Sequence, residues 1–337
     1  MSNQITQQPS ICIISPALAA ANNGNWQTAR RWEEMLSGHY HVEIMQSWQP
    51  DMGEPFDAML ALHARRSADT VASWAAAYPA KPLVLALTGT DLYRDIAVDA
   101  QAQQSLQLAQ RLIVLQELGP RSLPPQFQSK CSVVFQSTPR RPPVQKPLQE
   151  LRVVMVGHLR AEKSPQTYFA AARALAHRPD IVLDHIGAPL DAALGEEAHQ
   201  LAAEVPHYRY LGEQSHEQTL EHIAQAHVLV HPSQLEGGAH VVMEAVMCGT
   251  PVLASRIDGN VGMLGFDYAG YFDCGNAEQL TLALIACRDS QNPAPNQGLS
   301  KLAQLARQCN LRSPLFEPER EKAGLLKIFD TLFNQST

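Results

Sequence analysis

The sequence lacks any unbroken apolar run of the roughly 18 residues that a membrane-spanning helix needs, which argues against a membrane span. It is also poor in positive charge, since 26 Lys and Arg face 33 Asp and Glu for a net charge of −7. Without a basic field, nucleic acid and anionic membrane surfaces are excluded as expected partners. The N-terminal residues MSNQITQQPS carry neither the basic nor the apolar segment of a secretory signal peptide, so a cytoplasmic protein is expected.

Cysteine is sparse and scattered. The six cysteines form no C-x-x-C pair and no Cys/His spacing of a zinc site, so neither a structural metal nor a disulfide framework is predicted. An apolar share of 45% and a charged share of 18% are instead typical of a soluble globular chain. At 337 residues, the length favours two domains, each large enough for its own core.

Apolar runs alternate with amphipathic stretches along the whole chain. Short apolar runs bounded by turn residues predict buried strands, and their alternation with helices predicts an α/β protein with parallel sheets and right-handed crossovers. A helix is predicted over 22–36, where Trp26, Ala29, Trp32 and Leu36 share one face. Strands are predicted within 11–17, 41–47, 57–63, 82–89, 105–124 and 131–137, and again within 151–159, 180–189, 208–212, 227–233, 251–256 and 270–274.

A proline-rich stretch divides the two halves. Prolines make a stiff, non-helical spacer, so residues 139–150 are interpreted as a linker between domains at 1–138 and 151–314, with a long surface loop as the alternative. The terminal segment 315–335 predicts a helix that packs either on the first domain or on the second.

The most informative segment contains Glu236 and Glu244. An apolar strand leads into Gly237 and Gly238, and a short helix follows. Paired glycines allow close backbone approach to a ligand, and a helix N-terminus favours an anion. A carboxylate does not bind phosphate, so the two glutamates indicate hydroxyl recognition beside an anion cradle, as a nucleotide sugar requires. An ordinary crossover with surface glutamates is the alternative.

This segment resembles the E-x7-E signature of the two-domain glycosyltransferases of family 4. The resemblance implies a GT-B fold, in which two Rossmann-like domains with parallel sheets face each other across a cleft. It also implies a UDP-sugar donor and no metal or other cofactor. By this resemblance Glu244 binds the ribose hydroxyls, Glu236 binds the sugar hydroxyls, and the helix start at Gly237, Gly238 and Ala239 faces the diphosphate.

The loop after the first strand of the second domain supplies candidate cations. Family members place an Arg and, five residues later, a Lys here, and both contact the diphosphate. Lys163 matches the Lys, whereas His158 occupies the Arg position and Arg160 is the nearest guanidinium. Lys163 and Arg160 are therefore the expected phosphate partners, with a solvated loop charge as the alternative for each. His158 is a ligand contact or a loop histidine.

The first domain carries two candidate acceptor-side loops. Asn23, Gly24 and Asn25 stand where the family has its glycine-rich loop, opening the first helix. In the second loop, His63, Arg65 and Arg66 end a strand, and the planar guanidinium fork suits a phosphate-like acceptor. Surface arginines in a loop are the alternative.

Two further loops carry candidate ligand contacts. Thr88 and Gly89 begin a turn that resembles the family's HGTD motif, with Thr88 in place of His. Because Thr is no general base near neutral pH, this departure favours an acceptor that is already ionised. Asp91 either caps the following helix or contacts a ligand. The glycine-rich stretch 257–272 is interpreted as turns, with Asn260 and Gly262 as further sugar contacts.

Taken together, these segments are similar to the selenosugar synthases of selenoneine biosynthesis, a subgroup of the family. That resemblance implies transfer of N-acetylglucosamine or glucose from a UDP-sugar to selenophosphate, giving a 1-selenosugar, UDP and phosphate. It places selenophosphate on Arg65 and Arg66, with His63 orienting it. The alternatives are a glycosyltransferase with an oxygen acceptor and a non-catalytic nucleotide-sugar binder. Stereochemistry and oligomeric state stay open.

Overall fold

The computed structural model describes residues 8–18, 24–52, 56–291 and 299–335. It divides into two compact units, unit 1 with Met1–Gln136 and Pro318–Thr337, and unit 2 with Ser137–Glu317. Each unit is built on one six-stranded sheet in which all paired strands are parallel. The α/β prediction with parallel sheets is confirmed.

The sheet of unit 1 has the strand order β2-β1-β3-β4-β5-β6. Every residue of β3 and β4 is buried, as expected for parallel strands that are covered on both faces. The elements are β1 Ser10–Ile14, α1 Gly24–Leu36, β2 His41–Met45, β3 Ala58–Leu62, α2 Ala68–Ala77, β4 Leu83–Leu87, a π-helical turn Asp91–Asp95, α3 Ile96–Val98, α4 Ala100–Leu108, β5 Arg111–Val114, α5 Pro125–Gln128, β6 Cys131–Val133 and, from the chain end, α13 Pro318–Gln335.

Helices cover both faces of this sheet. One face packs against α2 and α4, with Val71, Trp74 and Leu106 in the core. The other face packs against α1 and α13, with Trp32 and Phe329 in the core. On α1, Thr28 lies in the buried face, whereas Trp26, predicted to be buried, is only half-buried.

The C-terminal helix α13 belongs to unit 1. The Glu321 carboxylate, 1% exposed, accepts hydrogen bonds from Arg31 Nε at 2.9 Å and from Trp32 Nε1 at 2.5 Å. Since these donors lie on α1, a buried charged contact fixes α13 against the start of the same unit.

The sheet of unit 2 has the strand order β12-β11-β10-β7-β8-β9. Its elements are β7 Leu151–Val156, α6 Pro165–Ala174, β8 Ile181–Ile186, α7 Ala192–Glu204, β9 Tyr208–Gly212, α8 His216–Gln225, β10 Val228–His231, α9 His240–Met247, β11 Val252–Ser255, α10 Asp258–Leu264, β12 Tyr271–Phe272, α11 Ala277–Asp289 and α12 Lys301–Arg312.

The proline-rich and glycine-rich stretches both lie in unit 2, and only the second differs from the interpretation of the sequence. The proline-rich stretch lies along this unit, where Arg141 N donates to Met247 O at 3.0 Å and Lys146 Nζ donates to Thr250 Oγ1 at 3.0 Å. The glycine-rich stretch contains the helix α10 rather than turns alone. Gly259 is required there because a Cβ at this position would lie 2.1 Å from the carbonyl oxygen of Glu236.

Candidate active site

The strand order of unit 2 defines where a ligand site is expected. The chain leaves β7 toward β8 on one side and leaves β10 toward β11 on the other, so the order reverses between the adjacent strands β7 and β10. In open α/β sheets, ligands bind at the carboxyl ends of the strands at such a reversal. The β7 loop, residues 157–164, carries Lys163, and the β10 loop, residues 232–239, carries Glu236.

Lys163 and Glu236 form an ion pair at this point. The Lys163 Nζ lies 2.6 Å from Glu236 Oε1, and the two side chains are 17% and 11% exposed. The same oxygen lies 3.2 Å from Nε2 of the buried His231, outside good hydrogen-bond angles. Within the described ranges no hydrogen bond reaches Glu236 Oε2. One carboxylate oxygen is therefore held inside the protein, and the other remains to accept a ligand hydroxyl.

The charges of this cluster are set by the ion pair. Burial would raise the pKa of the Glu236 carboxyl, but the Lys163 charge and the contact with His231 outweigh it and hold the pKa well below its usual range. Burial lowers the pKa of His231 despite the nearby carboxylate. Glu236 is thus ionised and His231 is neutral near pH 7.

His158 holds the β7 loop against the next strand. Ala188 N donates to His158 Nδ1 at 3.0 Å, so the neutral ring carries its proton on Nε2. Burial lowers the pKa of His158, the charge of Glu213 opposes this shift, and the charges of Arg160 and Lys163 add to it. A Cβ on Gly187 would lie 2.1 Å from Gly157 O, which shows how closely the two loops approach.

Arg160 is the second candidate cation of the β7 loop. It is exposed, and among the described residues no carboxylate lies within ion-pair distance of its guanidinium. Gly237 and Gly238 lie in the β10 loop, and Ala239 is the N-cap residue of α9. The positive end of that helix dipole therefore lies at the same edge of the sheet.

Glu244 lies on α9 and is 9% exposed. Its Oε1 lies 2.8 Å from Nε2 of His216 at the start of α8, and this hydrogen bond raises the pKa of His216 against the effect of burial. The two residues are 28 positions apart, and no pattern in the sequence joins them. His216 and His231 were both missed by the interpretation of the sequence.

Asn260 supports the β10 loop through hydrogen bonds to Ser255. It is fully buried, and its Nδ2 donates to Ser255 O at 2.9 Å and to Ser255 Oγ at 3.1 Å. Ser255 Oγ in turn donates to Ser233 O at 2.5 Å. The carbonyl of Gly262 accepts a hydrogen bond from Arg312. Asn260 and Gly262 thus make structural contacts, and their contact with the sugar stays a prediction.

Unit 1 has its own reversal of strand order, between β1 and β3. The loop after β1 contains Asn23, which lies outside the described residues. Gly24 is exposed at the start of α1 and Asn25 is half-buried in its first turn. The strand beside β1 in the sheet, on the side away from β2, is β3. It is followed by the β3 loop, residues 63–67, which lies beside the β4 loop, residues 88–90.

His63 has an unusual backbone conformation at the start of the β3 loop. Its φ is +72°, a left-handed value that costs a non-glycine residue about 1–3 kcal/mol. The side chain is 3% exposed, with Nε2 3.1 Å from Thr90 Oγ1. Burial lowers the pKa of His63, although Asp91 and Asp95 lie 4.0 and 3.9 Å away. A neutral ring is therefore fixed between the two loops.

Asp91 fastens these loops together. Its Oδ1 accepts the amides of Thr88 at 3.0 Å and Gly89 at 2.8 Å, and its Oδ2 accepts the amide of Ala64 at 3.0 Å. The residue is fully buried, and Thr90 is the N-cap of the helical turn that follows. Asp91 therefore bridges two loops and does not cap the helical turn, and its contact with a ligand stays a prediction.

The two arginines of the β3 loop differ in their partners. Arg65 Nε lies 3.0 Å from Asp95 Oδ2, and its side chain is 45% exposed. Arg66 is exposed, and in the described part of the chain no carboxylate pairs with its guanidinium. Arg66 is therefore the more available of the two for an anionic ligand.

Neither a membrane-spanning helix nor a cluster of metal ligands is found among the described residues. None of the helices in residues 8–18, 24–52, 56–291 and 299–335 is long and apolar enough to cross a membrane. No group of three or more His, Cys, Asp or Glu in these same ranges could hold a metal ion.

Comparison with known proteins agrees with this geometry. The family model "Glycosyl transferases group 1" matches residues 136–297, which include Lys163, Glu236 and Glu244. The D-inositol 3-phosphate glycosyltransferase of Salinispora arenicola (strain CNS-205) is 28% identical over 190 residues. The match covers 52% of this chain and only 40% of that protein.

Solved structures match over nearly the whole chain. The sucrose-phosphate synthase of Thermosynechococcus elongatus superposes with a TM-score of 0.75 at 17% identity, covering 97% of this chain and 100% of that chain. Anabaena HepE in complex with UDP-glucose gives a TM-score of 0.69 at 14% identity, with coverages of 96% and 99%. The fold is that of the GT-B glycosyltransferases, and residues 136–297 of the chain match the glycosyl transferases group 1 family.

Proposed function

We propose that this protein is a glycosyltransferase that moves a sugar, N-acetylglucosamine or glucose, from a UDP-sugar to selenophosphate. The observation that carries the proposal is the Lys163–Glu236 pair at the strand reversal of unit 2. It sets a cation for phosphate beside a carboxylate oxygen that can accept a sugar hydroxyl. The binding of UDP-glucose by the structural neighbour HepE supports a UDP-sugar as donor.

The donor is assigned to unit 2. Lys163, Arg160 and the N-terminus of α9 at Gly237, Gly238 and Ala239 bind the diphosphate and stabilise the charge that develops on it. Glu236 Oε2 accepts a sugar hydroxyl. Glu244, which His216 holds through Oε1, binds the ribose hydroxyls through its other oxygen.

The acceptor is assigned to the β3 and β4 loops of unit 1. Arg66, with the terminal nitrogens of Arg65, binds the phosphate oxygens of selenophosphate. The selenium attacks C1 of the sugar, a C–Se bond forms, and the C1–O bond breaks with its electron pair leaving on UDP. Water then attacks phosphorus and the Se–P bond breaks, which yields phosphate and the selenosugar. The proton of that water passes to the solvent, and the neutral His63, whose Nδ1 accepts the amide of Arg66 at 3.4 Å, positions the arginine that binds the phosphate.

An oxygen acceptor is the second candidate, and one comparison favours it. The Salinispora relative is named for D-inositol 3-phosphate, an alcohol that carries a phosphate group. Arg65 and Arg66 are the side chains that would bind that phosphate. A non-catalytic nucleotide-sugar binder has no such observation in its favour.

The test is an end-point assay by mass spectrometry under anaerobic, reducing conditions. The purified protein is mixed with UDP-N-acetylglucosamine or UDP-glucose, with and without selenophosphate, and inositol 3-phosphate serves as the competing acceptor. A selenium-containing sugar together with UDP, formed only when both substrates are present, is expected. A product with inositol 3-phosphate and none with selenophosphate would establish the second candidate instead.

Arg66→Ala tests the assignment of the acceptor. Loss of a charged hydrogen bond to phosphate should raise the acceptor KM about tenfold or more and leave the donor KM unchanged. Arg30→Ala, on the exposed face of α1 and paired with Glu34, removes the same charge from the same unit and should change neither KM. Equal increases in both KM values for Arg66→Ala would contradict the assignment.

A further inference from the structure

The two carboxylate oxygens of Glu236 differ in their partners. Glu236 Oε1 contacts both Lys163 and His231, whereas no described residue donates to Oε2. The cation expected to bind the donor diphosphate is therefore already neutralised by a carboxylate before any ligand arrives. Any phosphate that reaches Lys163 must also lie close to the negative charge of Glu236.

Glu236 is the fixed member of the pair. Its carbonyl oxygen is so close to Gly259 that a Cβ there would lie 2.1 Å away. Ser233, three residues earlier in the β10 loop, accepts a hydrogen bond from Ser255, which also holds Asn260. Lys163 instead ends a flexible four-carbon stem, which packs beside Gly157, so it is the member that can turn toward a phosphate.

The two nucleotides of the reaction meet this pair differently. A UDP-sugar brings a phosphate to Lys163 and a hydroxyl to Glu236 Oε2, so both charged groups gain a partner. Free UDP brings only the phosphate. It competes with Glu236 for Lys163, is repelled by the carboxylate, and offers nothing in return.

We infer that Glu236 makes this site discriminate against free UDP, so that Lys163 returns to Glu236 once the sugar has been transferred and the product UDP is released. This inference rests on the proposed function, since it assigns a specificity to the proposed donor site. The negative charge of Glu236 acts against the product, and its contact with the sugar acts in favour of the substrate.

Two variants separate the charge of Glu236 from its contact with the sugar. Glu236→Gln removes the charge and should lower the dissociation constant of UDP about fivefold or more, while that of the UDP-sugar stays the same or rises. Glu236→Asp keeps the charge on a shorter side chain. It should leave the affinity for UDP nearly unchanged and weaken binding of the UDP-sugar.

Isothermal titration calorimetry with UDP, UDP-N-acetylglucosamine and UDP-glucose measures these constants on the full chain. Glu213→Gln is the control for net charge, because Glu213 is an exposed carboxylate beside His158 on the same edge. It should alter the ratio of the two constants less than twofold. Thermal melts check that every variant is folded.

The outcomes distinguish this inference from the proposed function. If the unmodified protein binds neither UDP nor either UDP-sugar, the proposed donor is wrong. If it binds them and Glu236→Gln weakens UDP and UDP-sugar together, the proposed donor stands and the discrimination by Glu236 is refuted. The discrimination is also refuted, and the proposed donor still stands, if Glu236→Asp lowers the dissociation constant of UDP as much as Glu236→Gln does.

Discussion

Replacing Asp91 by Asn should loosen the β3 and β4 loops of unit 1. The two carboxylate oxygens of Asp91 accept three backbone amides, from Thr88, Gly89 and Ala64, at 2.8–3.0 Å. An amide has one oxygen. If it continues to face Thr88 and Gly89, the Asn NH₂ group faces the amide of Ala64, and a buried donor is left opposite another donor.

The magnitude follows from these three hydrogen bonds. An unsatisfied buried donor costs about 1–3 kcal/mol, and the two retained bonds weaken because their acceptor is no longer charged. The free energy of unfolding should therefore fall by about 2–4 kcal/mol. His63, whose φ of +72° is held by the adjacent Ala64, should relax once that amide is released.

Three measurements check this prediction. Urea unfolding gives the change in stability, and hydrogen exchange followed by mass spectrometry gives the protection of peptides over residues 63–67 and 88–90. In the proposed reaction the acceptor KM should rise while the donor KM stays constant. Protection of both peptides equal to that of the unmodified protein would refute the bridging role of Asp91, whatever the change in stability.

Asp99→Asn is the matched control in the same unit. Asp99 caps α4 through a single hydrogen bond from Ala102 N at 2.8 Å. Its replacement alters one cap at a cost of at most about 1 kcal/mol and does not touch the β3 and β4 loops. Faster exchange over residues 63–67 in this control would mean that the loops respond to any loss of stability.

Two predictions concern pH. Burial lowers the pKa of His185, a residue of β8, to about 3, so this residue stabilises the fold above pH ~6.5 and that stability is lost as pH falls toward 3. Its share of the loss is about 2 kcal/mol between pH 7.5 and 5, and urea unfolding of His185→Phe should show a correspondingly smaller decline. The hydrogen bond to Glu244 raises the pKa of His216. The contribution of protonated His216 to the stability of the fold is therefore present below pH ~6.5 and is lost as pH rises through the folded pKa. His216→Leu should destabilise more at pH 5.5 than at pH 8, and an equal effect at both would contradict the pairing.

The sequence predicted the location of the candidate site better than its contacts. Apolar runs of strand length alternating with helices specify parallel sheets, and the loops after such strands meet at one edge. Lys163 and Glu236 could therefore be assigned to neighbouring loops although 73 residues separate them. That Lys163 pairs with Glu236 itself depends on the order of strands in the sheet, which periodicity does not encode.

The missed features all depend on tertiary contacts. His231 looks like the last residue of an apolar strand, and only the folded β10 loop brings Glu236 back to it. Asp91 looks like a helix cap because the amide of Ala64 comes from a loop 27 residues earlier. The glycines of α10 predict turns by propensity, yet Gly259 is selected by close contact with Glu236 O within a helix.

Both units pair a side chain that is proposed to bind an anion with a buried carboxylate. Lys163 pairs with Glu236 in unit 2, and Arg65 pairs with Asp95 in unit 1. A net charge of −7 provides no long-range attraction for anionic substrates, so their recognition must come from contacts within the roughly 8 Å over which charges act at physiological salt. At such range a bare anion gains little from a cation that already has a partner. A ligand that also satisfies the carboxylate gains more, and this favours a sugar nucleotide over phosphates that are abundant in any cell.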